Sequence, residues 1–343
     1  MSRPLWPSRG ATRRAVLALG TAAGLSACHP LRTGPVRLIV GADAGGGNDD
    51  FCRLFARHLQ RVSGRTIQVE NEGRAGGKLA ADRLSRAKPD GVTLAFLPTG
   101  LLYEQLLDGA PGGTDYRRYS WLGSVGADRR VLLVNRQSRV TSFGDVLGRK
   151  TPLLLPSTSA SSGNYIEPMI VRHLTGAPLK PVPGYRGGAR NLAVLSGEGD
   201  GVMGGLDGMG ALLEAPGSRL ILRLNDRPLP DDALTPGTPP PLLAAFAKGE
   251  DAAELLYLVE TYATLGRMFA LPPGAPADLL AEWRAHFDSV VADPSFRAEA
   301  TRRTFTLEKV SGGEIQGALT RVLDSNGPIA GALRRALAAT PAG

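Results

Sequence analysis

Cysteine, histidine and aromatic residues are scarce in this chain, and their scarcity removes several kinds of site. Of 343 residues only 2 are cysteine and 4 are histidine, and aromatic residues make up 6%. The histidines show no metal-ligand spacing with one another or with Cys52, so we expect no bound metal. If Cys28 is consumed by processing, Cys52 is left alone, which excludes an internal disulfide and favours burial of Cys52 as a small hydrophobe.

Motifs of several enzyme and cofactor classes are also absent. There is no G-x-S-x-G nucleophile elbow, no recognisable Ser/His/Asp set and no pair of acids within one motif. A P-loop fails because Gly77-Lys78 is followed by Leu79, and the spacing of a dinucleotide site is not met cleanly. We therefore expect no cofactor and no enzymatic activity, with an enzyme kept as a competing class.

Most of the excess positive charge lies at the N-terminus. The chain has 40 Lys and Arg against 32 Asp and Glu, which gives a net charge of +8. Arg3, Arg9, Arg13 and Arg14 precede Cys28 with no acid among them, and removing these four charges from +8 leaves +4. The other basic residues form no stripe and do not alternate with aromatic residues, so nucleic acid is not an expected partner.

The N-terminal 27 residues have the features of an export signal. Arg13-Arg14 precedes a run of about a dozen mostly apolar residues, which is too short to span a bilayer and resembles a twin-arginine signal. The run ends in Leu25-Ser-Ala-Cys28, which resembles a bacterial lipobox. We expect a signal peptide over residues 1–27, lipidation at Cys28, and a periplasmic lipoprotein held to the membrane by this anchor. An ordinary signal peptide with an incidental Cys28 is the alternative.

The stretch from Gly41 to Arg53 carries the strongest ligand signal. Consecutive glycines follow the strand-like run Val36–Val40, and glycine tolerates positive φ and a close approach of the backbone to a ligand. Asn48 is expected to cap the following helix, and free N–H groups at such a helix start predict a site for an anion such as a carboxylate or phosphate. The alternative is that the glycines only turn the chain. The candidate contacts are Gly45, Gly46, Gly47, Asn48 and Asp49.

Strands and helices alternate along the following residues. Two segments are predicted to be strands, Thr66–Val69 and Val92–Leu97, and a glycine-rich turn and a helix at Lys78–Ala87 lie between them. This pattern is typical of βαβ units and a mostly parallel sheet. Ligands bind at the carboxyl ends of such strands. Thr99 and Gly100, which follow the second of these strands, are therefore further candidates.

Five motifs, taken in order and at their observed separations, resemble one family of proteins. They are Gly45-Gly-Gly-Asn-Asp49 with Arg53, Val69-Glu-Asn71 with Gly76-Gly77, Pro89-Asp-Gly91-x-Thr-Leu94, Val182-Pro-Gly-Tyr185-Arg-Gly187, and Gly197-x-x-Asp200. Together they resemble the solute-binding proteins of the tripartite tricarboxylate transporters, the Bug family. The likeness runs from about Val36 to the C-terminus, with Gly184 apparently inserted into the family's Val-Pro-Tyr-x-Gly.

The resemblance implies an α/β chain with a two-domain, periplasmic-binding-protein-like fold and a ligand cleft between the domains. Two apolar stretches, Val131–Val134 and Tyr262–Leu271, are expected to be strands that cross between the domains. Helices are expected over Asp278–Val291 and around Ile315–Leu337. The expected domains are the export signal at 1–27, a first α/β domain at 36–135 plus 262–343, and a second α/β domain at 136–261.

The resemblance also implies ligand contacts in the second domain. The family has a Gly/Ser-rich contacting loop where this chain has the hydroxyl-rich run 156–164, although such hydroxyls are also common helix caps. Arg186 in the next loop either pairs with a carboxylate or is a solvated charge. Many relatives carry an acid soon after the Asp200 strand, and here the nearest one is displaced by about three positions, which leaves its contact with a ligand amino group open. The candidates are Ser159, Ser161, Ser162, Tyr185 and Asp207.

The resemblance implies the function of an extracytoplasmic solute-binding protein. Such a protein would capture a small organic acid in its interdomain cleft and deliver it to inner-membrane transporter subunits. A periplasmic sensor that reports to a signalling partner would use the same cleft, and an α/β enzyme is the more distant alternative. The sequence leaves the ligand open among dicarboxylates, tricarboxylates, aromatic acids and amino acids.

Overall fold

The described part of the chain belongs to one compact unit that begins at Gly34. The computed structural model describes residues 34–109, 115–126, 128–186, 188–229, 239–303, 305–324 and 327–338. The expected export signal and Cys28 lie outside these ranges. Within them, no helix combines the length and the apolar character needed to cross a bilayer.

Strands and helices follow one another along the chain, as the sequence predicts. The strands are β1 Val36–Val40, β2 Ile67–Asn71, β3 Thr93–Pro98, β4 Ser120–Val125, β5 Arg130–Val134, β6 Leu153–Ser157, β7 Leu179–Pro183, β8 Gly201–Gly205, β9 Arg219–Arg223, β10 Arg267–Leu271 and β11 Lys309–Ser311. The helices are α1 Gly47–Ser63, α2 Lys78–Ser85, α3 Gly100–Asp108, α4 Phe143–Leu147, α5 Gly163–Thr175, α6 Ala189–Leu195, α7 Ala211–Glu214, α8 Ala252–Leu265, α9 Ala277–Ala292, α10 Pro294–Arg302, α11 Gly312–Val322 and α12 Pro328–Ala338.

The strands form two groups, which define the two lobes of the fold. The first lobe has a six-stranded sheet in the order β11-β4-β10-β3-β1-β2. Its β1, β2 and β3 are parallel, and β10 runs antiparallel to both β3 and β4. The second lobe has an antiparallel sheet in the order β8-β5-β9 and a parallel pair, β6 and β7. The carboxyl ends of β1 and β3 therefore point to the same edge of the first sheet.

Two expected strands differ in detail from the observed ones. Val131–Val134 is a strand, but it belongs to β5 and pairs within the second lobe, so the chain has already crossed between Val125 and Arg130. The prediction for Tyr262–Leu271 was wrong over its first part, because Tyr262 to Leu265 is the last turn of α8. Gly266 follows at φ +51°, where a side chain would collide with the Gly126 carbonyl oxygen, and there the helix gives way to β10.

Aromatic side chains hold α1 on the first sheet. Phe51 and Phe55 of α1 are fully buried, and the Phe55 ring stacks on Phe269 of β10 with ring centroids 4.4 Å apart. Phe296 of α10 meets both α1 rings edge-on. Cys52 is buried in the same cluster, in keeping with its expected structural role. This packing fixes the direction of α1, whose N-terminus points toward the other lobe.

Candidate functional site

A cavity of about 340 Å³ lies where the two lobes meet. The carboxyl ends of β1 and β3 open into it from the first lobe, and the loops before α5 and α6 enter it from the second. Among the residues expected at the site, those that line the cavity are Gly45, Gly46, Gly47, Asn48, Thr99, Gly100 and Ser162. Those that do not line it are Asp49, Ser159, Ser161, Tyr185 and Asp207.

The glycine loop ends at the first turn of α1, and the helix begins two residues earlier than expected. Gly46 is the N-cap, so Asn48 lies inside the first turn and the expectation that Asn48 caps the helix was wrong. Gly46 has no side chain to accept from the first N–H groups, which leaves them free for a ligand. Only Gly45 of the three glycines has a positive φ, at +79°, whereas Gly46 is extended at φ −93°.

Asp49 holds this loop from behind rather than facing the cavity. Its carboxylate accepts the Gly45 N–H at 2.8 Å, the Asn71 Nδ2 at 2.9 Å and the Arg53 Nε. Burial by itself would raise the pKa of Asp49, but the hydrogen bonds from Gly45, Arg53 and Asn71 outweigh it, and the pKa is lowered. The ionised carboxylate therefore orients the glycine loop without repelling an anion in the cavity.

Three helices of nine or more residues begin at the cavity wall without a side-chain cap: α1, α3 and α5. Thr99 is the N-cap of α3 and is buried, and its side chain makes no capping hydrogen bond. Ser162 is the N-cap of α5, but its hydroxyl donates to Ser159 O and Asn164 Oδ1 instead of capping the helix. Three positive helix ends therefore converge on one space, an arrangement that favours an anion.

The hydroxyl-rich loop 156–164 of the second lobe touches the first lobe at the edge of the cavity. A methyl group placed on Gly76 would lie 3.1 Å from Ser161 Oγ and 3.5 Å from Ser159 Oγ. On the other side, a methyl group on Gly47 would lie 3.7 Å from Gly208 Cα. The lobes therefore approach each other closely at both sides of the cavity, as in a closed cleft.

Tyr185 and Asp207 have their polar atoms engaged elsewhere. The Tyr185 hydroxyl donates to Glu198 in its own lobe. Asp207 accepts the Thr306 N–H at 3.0 Å and the Thr306 hydroxyl at 3.3 Å, and Arg267 lies 3.4 Å away. Thr306 and Arg267 belong to the first lobe, so Asp207 joins the two lobes. A ligand contact by Asp207 stays a prediction that would require these bonds to open.

A buried ionic network in the wall of the cavity was not visible in the sequence. Arg130, the first residue of β5, donates to Glu167 Oε2 at 2.6 Å and to Asp128 Oδ2 at 3.1 Å. Its guanidinium also lies over the Tyr262 ring, 4.9 Å from the centroid. Burial alone would lower the pKa of Arg130, but Glu167, Tyr262 and Asp128 outweigh it and raise the pKa. Asp128 is close to Arg130 in sequence, but Glu167, 37 residues further along, and Tyr262 reach Arg130 only in the folded chain.

Arg190 is a second cation that was not predicted from the sequence. The sequence analysis considered Arg186 as the partner of a carboxylate. Arg190 lies in the first turn of α6 and lines the cavity, whereas Arg186 is exposed outside it. A basic residue in the first turn opposes the helix dipole, and that placement is the sequence signal that could have identified it. Its neighbour Asn191 donates to the Gly208 carbonyl, which ties α6 to the loop after β8.

Comparison with known sequences gives short or distant matches. No protein-family model matches the chain. The UPF0065 protein in the TAR-I ttuE-ttuC' intergenic region of Agrobacterium vitis is 40% identical over 67 residues, 20% of this chain and 19% of that protein. Protein BugT of Bordetella pertussis is 28% identical over 212 residues, 57% of this chain and 60% of that protein. The chain thus matches less than two thirds of the length of these curated relatives.

Comparison with solved structures extends over nearly the whole fold. Rpa4515 of R. palustris, solved with adipate, superposes with a TM-score of 0.69 at 19% identity, covering 89% of this chain and 98% of that one. Periplasmic binding protein BugD gives a TM-score of 0.66 at 18% identity, covering 88% and 97%. MatC of Rhodopseudomonas palustris, with bound malate, gives 0.63 at 18% identity, covering 86% and 99%. The two-domain periplasmic-binding-protein-like fold and the resemblance to the Bug proteins, both expected from the motifs, are confirmed.

Proposed function

We propose that this chain, which has the fold of the Bug solute-binding proteins, captures a small carboxylate in the cleft between its lobes for a tripartite tricarboxylate-type transporter. The observation that carries the proposal is the convergence of three uncapped helix N-termini on one cavity between the lobes. The ligand carboxylate would accept from the first N–H groups of α1, and closure of the lobes would remove it from water. No residue of the cavity is assigned a catalytic role.

Two further findings support a carboxylate. The structural neighbours Rpa4515 and MatC were solved with adipate and malate, which are both organic acids. The cavity of about 340 Å³ is of the size that small-molecule sites have. Thr99, Gly100 and Ser162, which line it, would then contact the rest of the ligand and select among acids.

A melting-temperature screen with a panel of organic acids tests this function. A ligand that binds only the folded state at a hundredfold excess over its Kd should stabilise the protein by about 2.7 kcal/mol. Native mass spectrometry of protein purified from the periplasm without refolding would identify a ligand that is already bound. A panel of acids without any shift, together with a clear shift from a sugar or a nucleotide, would contradict the proposal, and turnover of a bound acid would favour an enzyme.

The proposal includes export and membrane anchoring, which bring the protein to a permease. If Cys28 is acylated, Cys28→Ser should release a soluble periplasmic protein, as measured by fractionation. Equal membrane association of the variant and the parent would contradict the anchor. Replacing Arg13 and Arg14 together by lysine should block export if the twin-arginine route is used, and unchanged export would indicate the general secretory route.

A further inference from the structure

Arg190 is a cation in the cavity wall that no described carboxylate neutralises. Its side chain lines the cavity and makes no hydrogen bond or ion pair with any described residue. By contrast, Arg130 pairs with Asp128 and Glu167, and Arg267 lies against Asp207. A half-buried charge with no partner among the described residues is costly, so the cavity beside Arg190 is a place for an external anion.

The charge of Arg190 persists at neutral pH. Burial, and then repulsion from Arg130, lower the pKa of Arg190 to about 10, with Glu167 acting in the opposite direction. The guanidinium is therefore protonated at neutral pH, where a carboxylate is ionised. An anion bound at this place would reverse the depression of the pKa.

Arg190 and the first turn of α1 line the same cavity from opposite lobes. A methyl group placed on Gly47 would lie 3.7 Å from Gly208 Cα, and one placed on Gly208 would lie 3.8 Å from Arg190 Nη2. Gly208 therefore lies between Arg190 and the first turn of α1, and the absence of side chains at Gly47 and Gly208 leaves room for a ligand there. A carboxylate in the cavity faces donors from both lobes.

We propose that Arg190 is a specificity-determining residue whose guanidinium pairs with the ligand carboxylate held by the first turn of α1. This inference rests on the carboxylate-binding function proposed above, and it narrows the ligand class. An amino acid carries its ammonium on the carbon beside the carboxylate, which would bring it close to Arg190. The acid that could receive such an ammonium, Asp207, is already engaged by Thr306 and Arg267. The site therefore selects hydroxy acids or unsubstituted acids over amino acids.

Lactate, alanine and lactamide are matched probes for this selection. They share one carbon skeleton, and alanine replaces the hydroxyl of lactate by an ammonium, whereas lactamide lacks the carboxylate charge. Calorimetry on the parent protein should give binding of lactate and at least tenfold weaker binding of the other two, since a tenfold ratio corresponds to about 1.4 kcal/mol. Arg190→Met should weaken lactate by about thirtyfold or more and remove most of the discrimination. Arg190→Lys should retain part of the lactate affinity and part of the discrimination against alanine and lactamide.

Two controls separate recognition from a structural role. Arg186→Met changes an exposed arginine four positions earlier, outside the cavity, and should leave lactate binding unchanged. The ligand-free Arg190→Met protein should melt at or above the temperature of the parent, because the substitution removes an unpaired charge. A lower melting temperature with unchanged lactate affinity would assign Arg190 to the fold alone.

The inference is overturned if Arg190→Met binds lactate as the parent does, if the parent binds alanine as well as lactate, or if no carboxylate probe binds the parent. Native mass spectrometry separates this failure from failure of the proposed function. An acid that co-purifies equally with the parent and Arg190→Met would leave carboxylate capture in place and remove the role of Arg190. The absence of any co-purifying acid, together with an organic-acid panel without effect, would remove both.

Discussion

At the scale of single residues, the glycine loop shows which parts of a site a sequence reveals. Gly45, Gly46 and Gly47 were expected at the ligand site and do line the cavity. Their individual roles were not readable, because a glycine that needs positive φ and a glycine that only makes room look the same in sequence. The structure separates them: Gly45 is left-handed at φ +79°, and Gly46 is the extended N-cap.

Gly46→Val tests whether the loop binds an anion or only turns the chain. Any residue can adopt φ −93°, but valine is a poorer N-cap than glycine, so the ligand-free melting temperature should fall only slightly. A branched side chain beside the free N–H groups of α1 should displace a carboxylate and weaken binding more than about tenfold, or 1.4 kcal/mol. Calorimetry with an acid identified in the screen measures this.

The matched control is Gly64→Ala at the other end of α1. Gly64 is left-handed at φ +67°, has open space around it and lies outside the cavity. An alanine there should cost about 1 kcal/mol of stability and leave binding unchanged. Parental affinity of a folded Gly46→Val protein would show that the glycine loop is only a turn.

Asp49→Asn tests the support behind the loop. The amide cannot accept from Gly45, Asn71 and Arg53 as the carboxylate does, so we expect a loss of about 1.5–3 kcal/mol of unfolding free energy at pH 7. The pKa of Asp49 in the folded protein is below its ordinary value of 3.8, so the stabilisation is complete above that pH and is lost as the pH falls through the folded pKa. Urea unfolding at pH 7 and pH 3 should therefore show a smaller gap between parent and variant at pH 3. A gap of equal size at both values would exclude a role for the charge.

At the scale of elements, regular strands and glycine-rich turns were predicted well and buried crossings were not. Apolar periodicity and the positions of glycine-rich turns predict β1, α1 and the turn into β3. The end of α8 was mistaken for a strand because nearly every residue there is apolar, and helix and strand then give the same pattern. The network of Arg130, Glu167 and Asp128 joins β5 to α5, and no local pattern encodes such a long-range contact.

Glu167→Gln tests that network at the packing of α5 on β5. The variant keeps the shape of the side chain and removes the charge that faces Arg130 at 2.6 Å. Burial raises the pKa of Glu167, and the Arg130 guanidinium limits the rise. If Glu167 is ionised, breaking the buried pair should cost about 3–5 kcal/mol in urea unfolding. Combining Arg130→Met with Glu167→Leu should recover most of this loss, because an apolar pair replaces the ionic one. A cost below about 0.5 kcal/mol for Glu167→Gln would mean that Glu167 is already protonated.

At the scale of the whole molecule, the question is what holds the lobes together before a ligand binds. The family resemblance predicts a cleft between two lobes. It does not predict which residues join the lobes across the cleft, because that depends on strand register and loop lengths that the motifs do not determine. Asp207, whose contact with a ligand the sequence leaves open, contacts Thr306 and Arg267 of the opposite lobe. Its side chain is only 3% exposed, so these bonds are shielded from water and from salt.

Asp207→Ala should therefore shift the ligand-free protein toward an open cleft. Losing contacts worth about 1–2 kcal/mol would lower the ratio of closed to open molecules by roughly five- to thirtyfold, and the apparent Kd for an acid rises as the closed fraction falls. Small-angle scattering should show a larger radius of gyration without ligand and the parental value with saturating ligand. The matched control is Asp226→Ala, which removes an acid that is 80% exposed and paired only within its own lobe, and both observables should stay unchanged. If Asp207→Ala instead keeps the parental radius and loses affinity for amino acids alone, Asp207 is a ligand contact, and the lobes are held together by other residues.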